Sequence, residues 1–510
     1  MLEWITNVNG EINTFVWTTL GLVLLIATGV ITTFATGTFQ VSHFATWWKN
    51  TIGSLFKKDV ISHTKDKSIS PFQALCTALA ATIGVGNIAG VASAIAIGGP
   101  GAVFWMWIAA FFGMMTNYSE NVLGIFYRRK NANGEWSGGA MYYLQDGLGS
   151  KKGCKWIGKI LAILFSIFTL LASFGIGAMG QVNKIVLNIA DAFPIQALAE
   201  TEVFTGVSLY NVILGVILVV IAGLIVLGGL KRIASFAEKV IPFMVILFIL
   251  GSVVIVAVNW DMIVPAFKAI INTAFTPVAA LGGGAGIAMS AVIQQGFKRG
   301  VFSNEAGLGS SVMVHSNSNV KEPVKQGMWG IFEVFADTII VCTLTALVVL
   351  TTRGSEAALY TQVADEATTV AKAFDSVFSI NGVAFGGKFV AIAIFLFAFT
   401  TVLGWDHYGS KAWEYLFGTK TTVVYRIIHL VTIFLGAVMT SSLAWDISDT
   451  FNGLMMIPNL IGVIILCPLV VKITNNYLMR KWGAKVEPML SVFPEIQAEH
   501  AKAVKENNEN

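Results

Sequence analysis

Runs of about twenty mostly apolar residues recur along this chain, divided by short polar connections. Each is long enough for a helix to cross the ~30 Å hydrocarbon core of a bilayer. That rule predicts eleven spans, near 13–36, 72–97, 101–127, 156–182, 207–230, 237–258, 275–299, 328–351, 386–414, 423–442 and 449–473. Residues 191–206 and 353–385 read as loops, and the tail after Lys472 as hydrophilic and partly disordered. Alternating strand-like stretches are absent, which argues against a transmembrane barrel.

Two of the spans are poor helices on paper. The second contains AATIGVGNIAG (Ala80 to Gly90), with Gly84, Gly86, Gly90, Thr82 and Asn87 where a lipid-facing helix would carry Leu or Ile. Glycine weakens a helix by about 1 kcal/mol relative to alanine, and freed backbone groups persist at membrane depth only where protein or a water-filled cavity satisfies them. The seventh contains LGGGAG, Leu281 to Gly286. Both are expected to unwind. They lie five spans apart and therefore cross in opposite directions. Interrupted spans at corresponding positions of two halves point to an inverted-repeat transporter. The predicted fold is thus all-α and polytopic, a 5+5 inverted repeat of spans two to six (72–258) and seven to eleven (275–473). The first helix (1–40) is peripheral, 41–71 is a cytoplasmic loop, and 474–510 is a cytoplasmic tail.

Composition agrees with this class. Of 510 residues, 55% are hydrophobic and 12% charged, about half the charge of a soluble domain. The net charge of +4 gives no indication of nucleic acid. Its distribution is more telling: 27 of the 33 Lys and Arg fall on one side of the predicted spans and 5 on the other. The positive-inside rule then places the N-terminus outside and the C-terminus in the cytoplasm. The first span has no basic residue before it and no cleavage pattern, so it reads as a true span and not a signal. Four scattered cysteines, without CxxC spacing, indicate neither disulfides nor zinc.

At the first break the core is Thr82, Gly84, Val85, Gly86 and Asn87. Carbonyls ending one half-helix suit a small cation; N–H groups opening the next suit a carboxylate. At the second break Gly282, Gly283, Gly284 and Gly286 stand together. Gln181, near the end of span four, either hydrogen-bonds a zwitterionic ligand or marks the membrane interface. The letters Gly175-x-Gly177-x-x-Gly180 match a dinucleotide fingerprint, but inside an apolar span they lack the strand that motif requires. In span nine, Thr400 and Thr401 either bond their own helix carbonyls or give a sodium site one hydroxyl; Trp405 walls a pocket or anchors the interface. Intramembrane acids are functional candidates by default: Glu120, Glu333 and Asp337 serve a gate, ion coupling or structural pairing. The stretch from Gly296 to Ser311 (GFKRGVFSNEAGLGSS), with Lys298, Arg299 and Glu305, reads as a cytoplasmic hinge or inner gate. No phosphate-binding loop, HExxH or GxSxG is present, so the chain is not expected to be an enzyme.

Four stretches carry a family resemblance: ALCTALAATIGVGNIAGVASAI, GGPGAVFWMWIAAFFGM (Gly98 to Met114), GGAMYYLQDGLG (Gly138 to Gly149) and GVFSNEAGLGSS (Gly300 to Ser311). The chain resembles the amino-acid:cation symporter family, the sodium:alanine or glycine symporters of bacteria and archaea, over nearly its whole length. The resemblance implies a LeuT-type inverted repeat with an extra first helix, in a prokaryotic cell membrane. It implies sodium-coupled uptake of a small neutral amino acid, most often alanine or glycine, with Na⁺ as coupling ion and no cofactor. The substrate carboxylate would sit on Gly84 to Asn87. Carbonyls of Ala80 and Ile83, with Thr400 or Thr401, would hold Na⁺. Gln181, the Gly282–Gly286 break and Trp405 would line the pocket. Proton coupling or glutamine transport is the nearest alternative, and an ion channel a remote one.

Overall fold

The computed structural model describes residues 2–55, 57–61, 67–204, 206–276, 289–355, 357–360, 366–380, 383–440 and 443–509. Among these, eight helices are long and apolar enough to cross a membrane, and one further pair qualifies together although bent by 56° at a short break. In chain order the elements used below are α1 (Glu3–Ala35), α2 (Phe44–Asn50), α3 (Pro71–Thr82), α4 (Gly86–Gly98) and α5 (Gly101–Tyr127). Then come α6 (Lys155–Ala192), α7 (Leu209–Val226), α8 (Gly229–Val258), α9 (Ile263–Phe275) and α10 (Met289–Asn304). They are followed by α11 (Val312–His315), α12 (Pro323–Thr351), α13 (Glu366–Asp375), α14 (Gly386–Phe417), α15 (Thr422–Val438), α16 (Leu443–Lys481) and α17 (Pro494–Glu509).

The bent pair is α3 and α4, the two halves of predicted span two. Pro71 opens α3, where its missing N–H is no loss, and Ser70 and Gln73 close a reciprocal capping box before it. The helix stops at Thr82 because Ile83 leaves helical geometry (ψ 90°). Close approach then demands glycine: a Cβ at Gly84 would stand 2.6 Å from Thr401 Oγ1, and one at Gly86 3.1 Å from the Phe302 ring.

Among the described residues a second interruption follows α10. LGGGAG, with Gly282, Gly283, Gly284 and Gly286, falls outside the described residues. The stretch read from sequence as a cytoplasmic hinge is instead helix α10 up to Asn304, followed by an unwound segment to Ser311. Glu305 has φ 55°, a rare value for a residue with a side chain, and Gly307 (93°) and Gly309 (74°) are left-handed too. Lys298, placed by sequence at the cytoplasmic side, reaches the starts of α1 and α16 instead, pairing with Asp449 at 2.8 Å and approaching Asn13. Reassigning Lys298 and Arg299 leaves a charge asymmetry of 25 against 7.

The interrupted helices run antiparallel. Gly98, ending α4, packs against Val292 and Gln295 early in α10, whereas Gly86 packs against Phe302 and Ser303 at its end. Both breaks therefore fall at one level. Helix α14 passes alongside, close enough that a Cβ at Gly404 would meet that of Ala81 at 2.7 Å.

The tail is also more ordered than its polarity suggests. α16 continues to Lys481 and α17 folds back onto the bundle. Val492 N donates to Phe126 O (3.1 Å), and the Gln497 side chain accepts from the N–H groups of Leu490 and Ser491. Residues 353–385, read as a loop, include α13, whose Phe374 stacks on Phe389 of α14 at 5.1 Å.

Candidate functional site

Where the two interruptions face each other the structure encloses a cavity of about 20 Å³, lined in part by Thr82, Gly84, Gly86, Gln181, Thr401 and Trp405. Six sequence-predicted residues thus meet. Five more complete the wall: Ala81, Ile176, Phe302, Glu305 and Asn452. The last turn of α3 and the first of α4 meet here, and such helix ends present carbonyls on one side and N–H groups on the other.

The side chains add acceptors. Gln181 donates through Nε2 to Ile176 O at 3.2 Å, while its Oε1, buried beside Gly84, has no partner. Asn452 Oδ1 is likewise buried and unpartnered. Glu305 accepts from Trp405 Nε1 (2.9 Å) and from Ser310 Oγ, and the Trp405 side chain lies where a Cβ at Gly177 would be 2.6 Å away. Helix-end N–H groups together with the unpartnered acceptors Gln181 Oε1 and Asn452 Oδ1 suit a small zwitterion with a cation beside it.

Other predicted residues lie around this cavity and outside it. Val85 faces an outer cavity. Asn87 is fully buried and turns away: its Oδ1 accepts from Gly84 N (2.9 Å) and its Nδ2 donates to Asp337 Oδ1 (2.7 Å). Asp337 also accepts from Ser303 Oγ (2.7 Å) and Thr338 Oγ1 (2.9 Å), so one carboxylate ties the first break to the end of α10. Thr400 and Thr401 both donate to Phe397 O, at 2.9 and 3.0 Å. Thr401 alone of the two lines the cavity; Thr400 faces Met244 of α8. Ala80 and Ile83 are buried in the last turn of α3 and just after it.

Glu120 and Glu333, both buried, brace the second unwound segment. Asn459 Nδ2 donates to Glu120 and to Gly307 O. Glu333 accepts from Asn117 Nδ2 (3.4 Å) and lies 2.9 Å from His315 Nε2 at the end of α11. Neither these acids nor Asp337 line the cavity.

Two larger cavities flank the small one. A space of 520 Å³ shares Gly86 and Phe302 with it and extends past Gly90, Lys184 and Arg299. Another of 340 Å³ lies farther along α14, lined by His407, Ser410, Lys411 and Glu414. Phe302 closes the small cavity on one side. On the other, Lys411 is bound to Glu414 (3.0 Å) and Ser137 (3.1 Å).

Sequence reading did not assign Ala81, Phe302, Ile176 or Asn452 to the site, and placed Glu305 in a loop. A signal for Glu305 was there: after Arg299 the chain stays apolar or small to Val314 with Glu305 as its only charge.

Apolar helices of spanning length surround a small polar cavity with two interrupted elements antiparallel beside it, and with the family match below this places the chain among multi-pass membrane transporters. The chain belongs to the sodium:alanine symporter family, whose model matches residues 2–490. It is 41% identical over 479 residues to a sodium/alanine symporter of Methanococcus maripaludis, covering 93% of this chain and 98% of that protein. It is 34% identical over 487 residues to a probable sodium/glutamine symporter of Bacillus subtilis, covering 95% of this chain and 93% of that protein. Among solved structures, MhsT in complex with L-phenylalanine aligns with 81% of this chain and 99% of its own at 12% identity, with a TM-score of 0.49.

Proposed function

We propose that this protein takes up a small neutral amino acid, alanine or glycine, together with Na⁺, by alternating access, with its N-terminus outside the cell and its C-terminus in the cytoplasm. The observation that carries this reading is the small cavity at the two interruptions. The N–H groups opening α4 take the substrate carboxylate, and Glu305 and the free Gln181 Oε1 take its ammonium group. Carbonyls ending α3, around Ala80 and Ile83, hold Na⁺ with Thr401. Phe302 and Trp405 limit the side chain, which favours alanine or glycine over glutamine.

The flanking cavities support alternating access. Movement of Phe302 opens the site to the 520 Å³ space; parting of Lys411 from Ser137 and Glu414 opens it to the other. An inward unit charge gains about 2.3 kcal/mol per 100 mV of membrane potential, added to the Na⁺ gradient. The Na⁺ and amino-acid sites are adjacent, so each ligand must tighten the other by the same factor.

The test is uptake of labelled alanine into proteoliposomes under an imposed inward Na⁺, K⁺ or H⁺ gradient, with unlabelled glycine, serine, D-alanine and glutamine as competitors. Accumulation with Na⁺ alone, displaced best by alanine or glycine, is expected. Accumulation driven by H⁺ without Na⁺, or displacement best by glutamine, would replace this reading with its alternative.

A further inference from the structure

A cavity of 490 Å³ lies apart from the transport axis, at the end of the bundle that carries the C-terminus. Its wall draws on the turn after α2, the segment leading into α12, the last turn of α16 and the tail helix α17, which contributes Ala503 and Val504. Five lining residues are cationic: Lys57, Lys321, Lys325, Arg480 and Lys481. Among the described residues, one lining residue is acidic. This is Glu322, and the Arg480 guanidinium holds both its oxygens, at 2.6 and 2.8 Å.

Lys57, Lys325 and Lys481 therefore converge, beside Lys321, on one concave space whose lining acid Glu322 is held by Arg480. Pro71 also lines the space. The positive end of the α3 dipole thus adds to the lysine charges. Trp329 and Tyr477 supply an aromatic floor. At the rim stands α2, a short helix with exposed Phe44 and Trp48 and with Lys49 in its last turn; its final residue, Asn50, belongs to the wall. Exposed aromatics beside lysine mark the depth at which a membrane meets water.

We propose that this cavity binds a phosphate-bearing anion, supplied either as the headgroup of an anionic phospholipid or as free phosphate. Lysine serves such groups as a point charge; with the C-terminus in the cytoplasm, as proposed above, this is a basic pocket of the kind that selects anionic headgroups beside spanning helices. The bound anion joins the start of α3, which is half of the interrupted span, to α16 and to the tail helix. Occupancy thus bears on the element that must move when the transport site opens.

The test uses the full-length protein and two variants, Lys325→Gln and the triple variant Lys321→Gln, Lys325→Gln, Lys481→Gln. Native mass spectrometry after exchange into mixed phosphatidylglycerol and phosphatidylcholine micelles reads the lipid arm. Thermal unfolding with inorganic phosphate against chloride at equal ionic strength reads the free-anion arm. Selective retention of phosphatidylglycerol, or a phosphate-specific rise in melting temperature, is expected in the wild type. Affinity in the responding arm should fall about fivefold in the single variant and roughly a hundredfold in the triple one. Equal retention of the two lipids with no phosphate response, or an unchanged response in the folded Lys325→Gln protein, would overturn the proposal.

Discussion

Asn87 and Asp337, 250 positions apart, are joined by a buried hydrogen bond of 2.7 Å. Asn87 also holds the N–H of Gly84, and Asp337 holds Ser303, so a single chain of contacts runs from one interruption to the other. The geometry of the site depends on this link although neither residue lines the cavity.

Asn87→Ala leaves the Gly84 N–H and one Asp337 oxygen without their partner. Alanine uptake in proteoliposomes should fall at least tenfold while the purified protein remains folded by circular dichroism. Asp337→Asn turns an acceptor of three hydrogen bonds into a partial donor and should lower stability by about 1.5–3 kcal/mol, as loss of a charged hydrogen bond does. A thermal midpoint equal to wild type in both variants would show that the link is incidental.

Glu305→Gln keeps an acceptor for Trp405 and a partner for Ser310 but removes the charge. A pairing with substrate ammonium predicts a rise in alanine dissociation constant of roughly 10- to 100-fold, from the ~1.5–3 kcal/mol of a charged hydrogen bond. The thermal midpoint should hardly change. Undiminished alanine binding would assign Glu305 to backbone bracing alone.

Thr400 and Thr401 are neighbours with different surroundings, and the structure separates them. Thr401→Val should raise the Na⁺ concentration for half-maximal uptake several-fold, whereas Thr400→Val, facing Met244, should leave that value nearly unchanged. Gly84→Ala should resemble Thr401→Val because its Cβ would stand 2.6 Å from the Thr401 hydroxyl. Equal Na⁺ titrations for all three would remove this hydroxyl from the ion site.

The tail helix carries a pH dependence of its own. His500 is buried against Trp136 with no hydrogen-bond partner on either ring nitrogen. Burial, together with the charges of Arg128, Lys321 and Lys130, pushes its imidazole down to about 3. A histidine whose folded value is depressed stabilises the docked state fully above its ordinary value of about 6.5. That contribution is lost as pH falls from there toward 3. The protection factors of residues 494–509, exchange corrected for its intrinsic pH dependence, should be lower at pH 5 than at pH 7.5, and His500→Gln should abolish the difference. Protection factors independent of pH in the wild type would contradict this.

The first break was legible because glycines and amides in an apolar run violate the rule for a lipid-facing helix. The second was not. A twenty-residue window ended the seventh span at Arg299 because Lys298 and Arg299 looked like an interface. Tertiary contacts accommodate both: Lys298 pairs with Asp449, and Arg299 donates to Ser93 Oγ at 2.9 Å. Left-handed geometry at Glu305 leaves no mark in the letters either. Asn87 read as a ligand residue because an amide at membrane depth needs partners, and sequence could not show that Gly84 and Asp337 already supply them. The docking of α17 depends on Phe126 and Trp136, hundreds of positions away, and a polar tail gives no hint of such partners.

The central claim is that amino acid and Na⁺ bind next to each other where the two interrupted helices meet. Equilibrium binding of labelled alanine to the purified protein, titrated with Na⁺ against choline at constant ionic strength, tests it most directly. The account predicts that Na⁺ tightens alanine binding, that alanine tightens Na⁺ binding by the same factor, and that Thr401→Val weakens this coupling. Alanine affinity identical in Na⁺ and choline would contradict it.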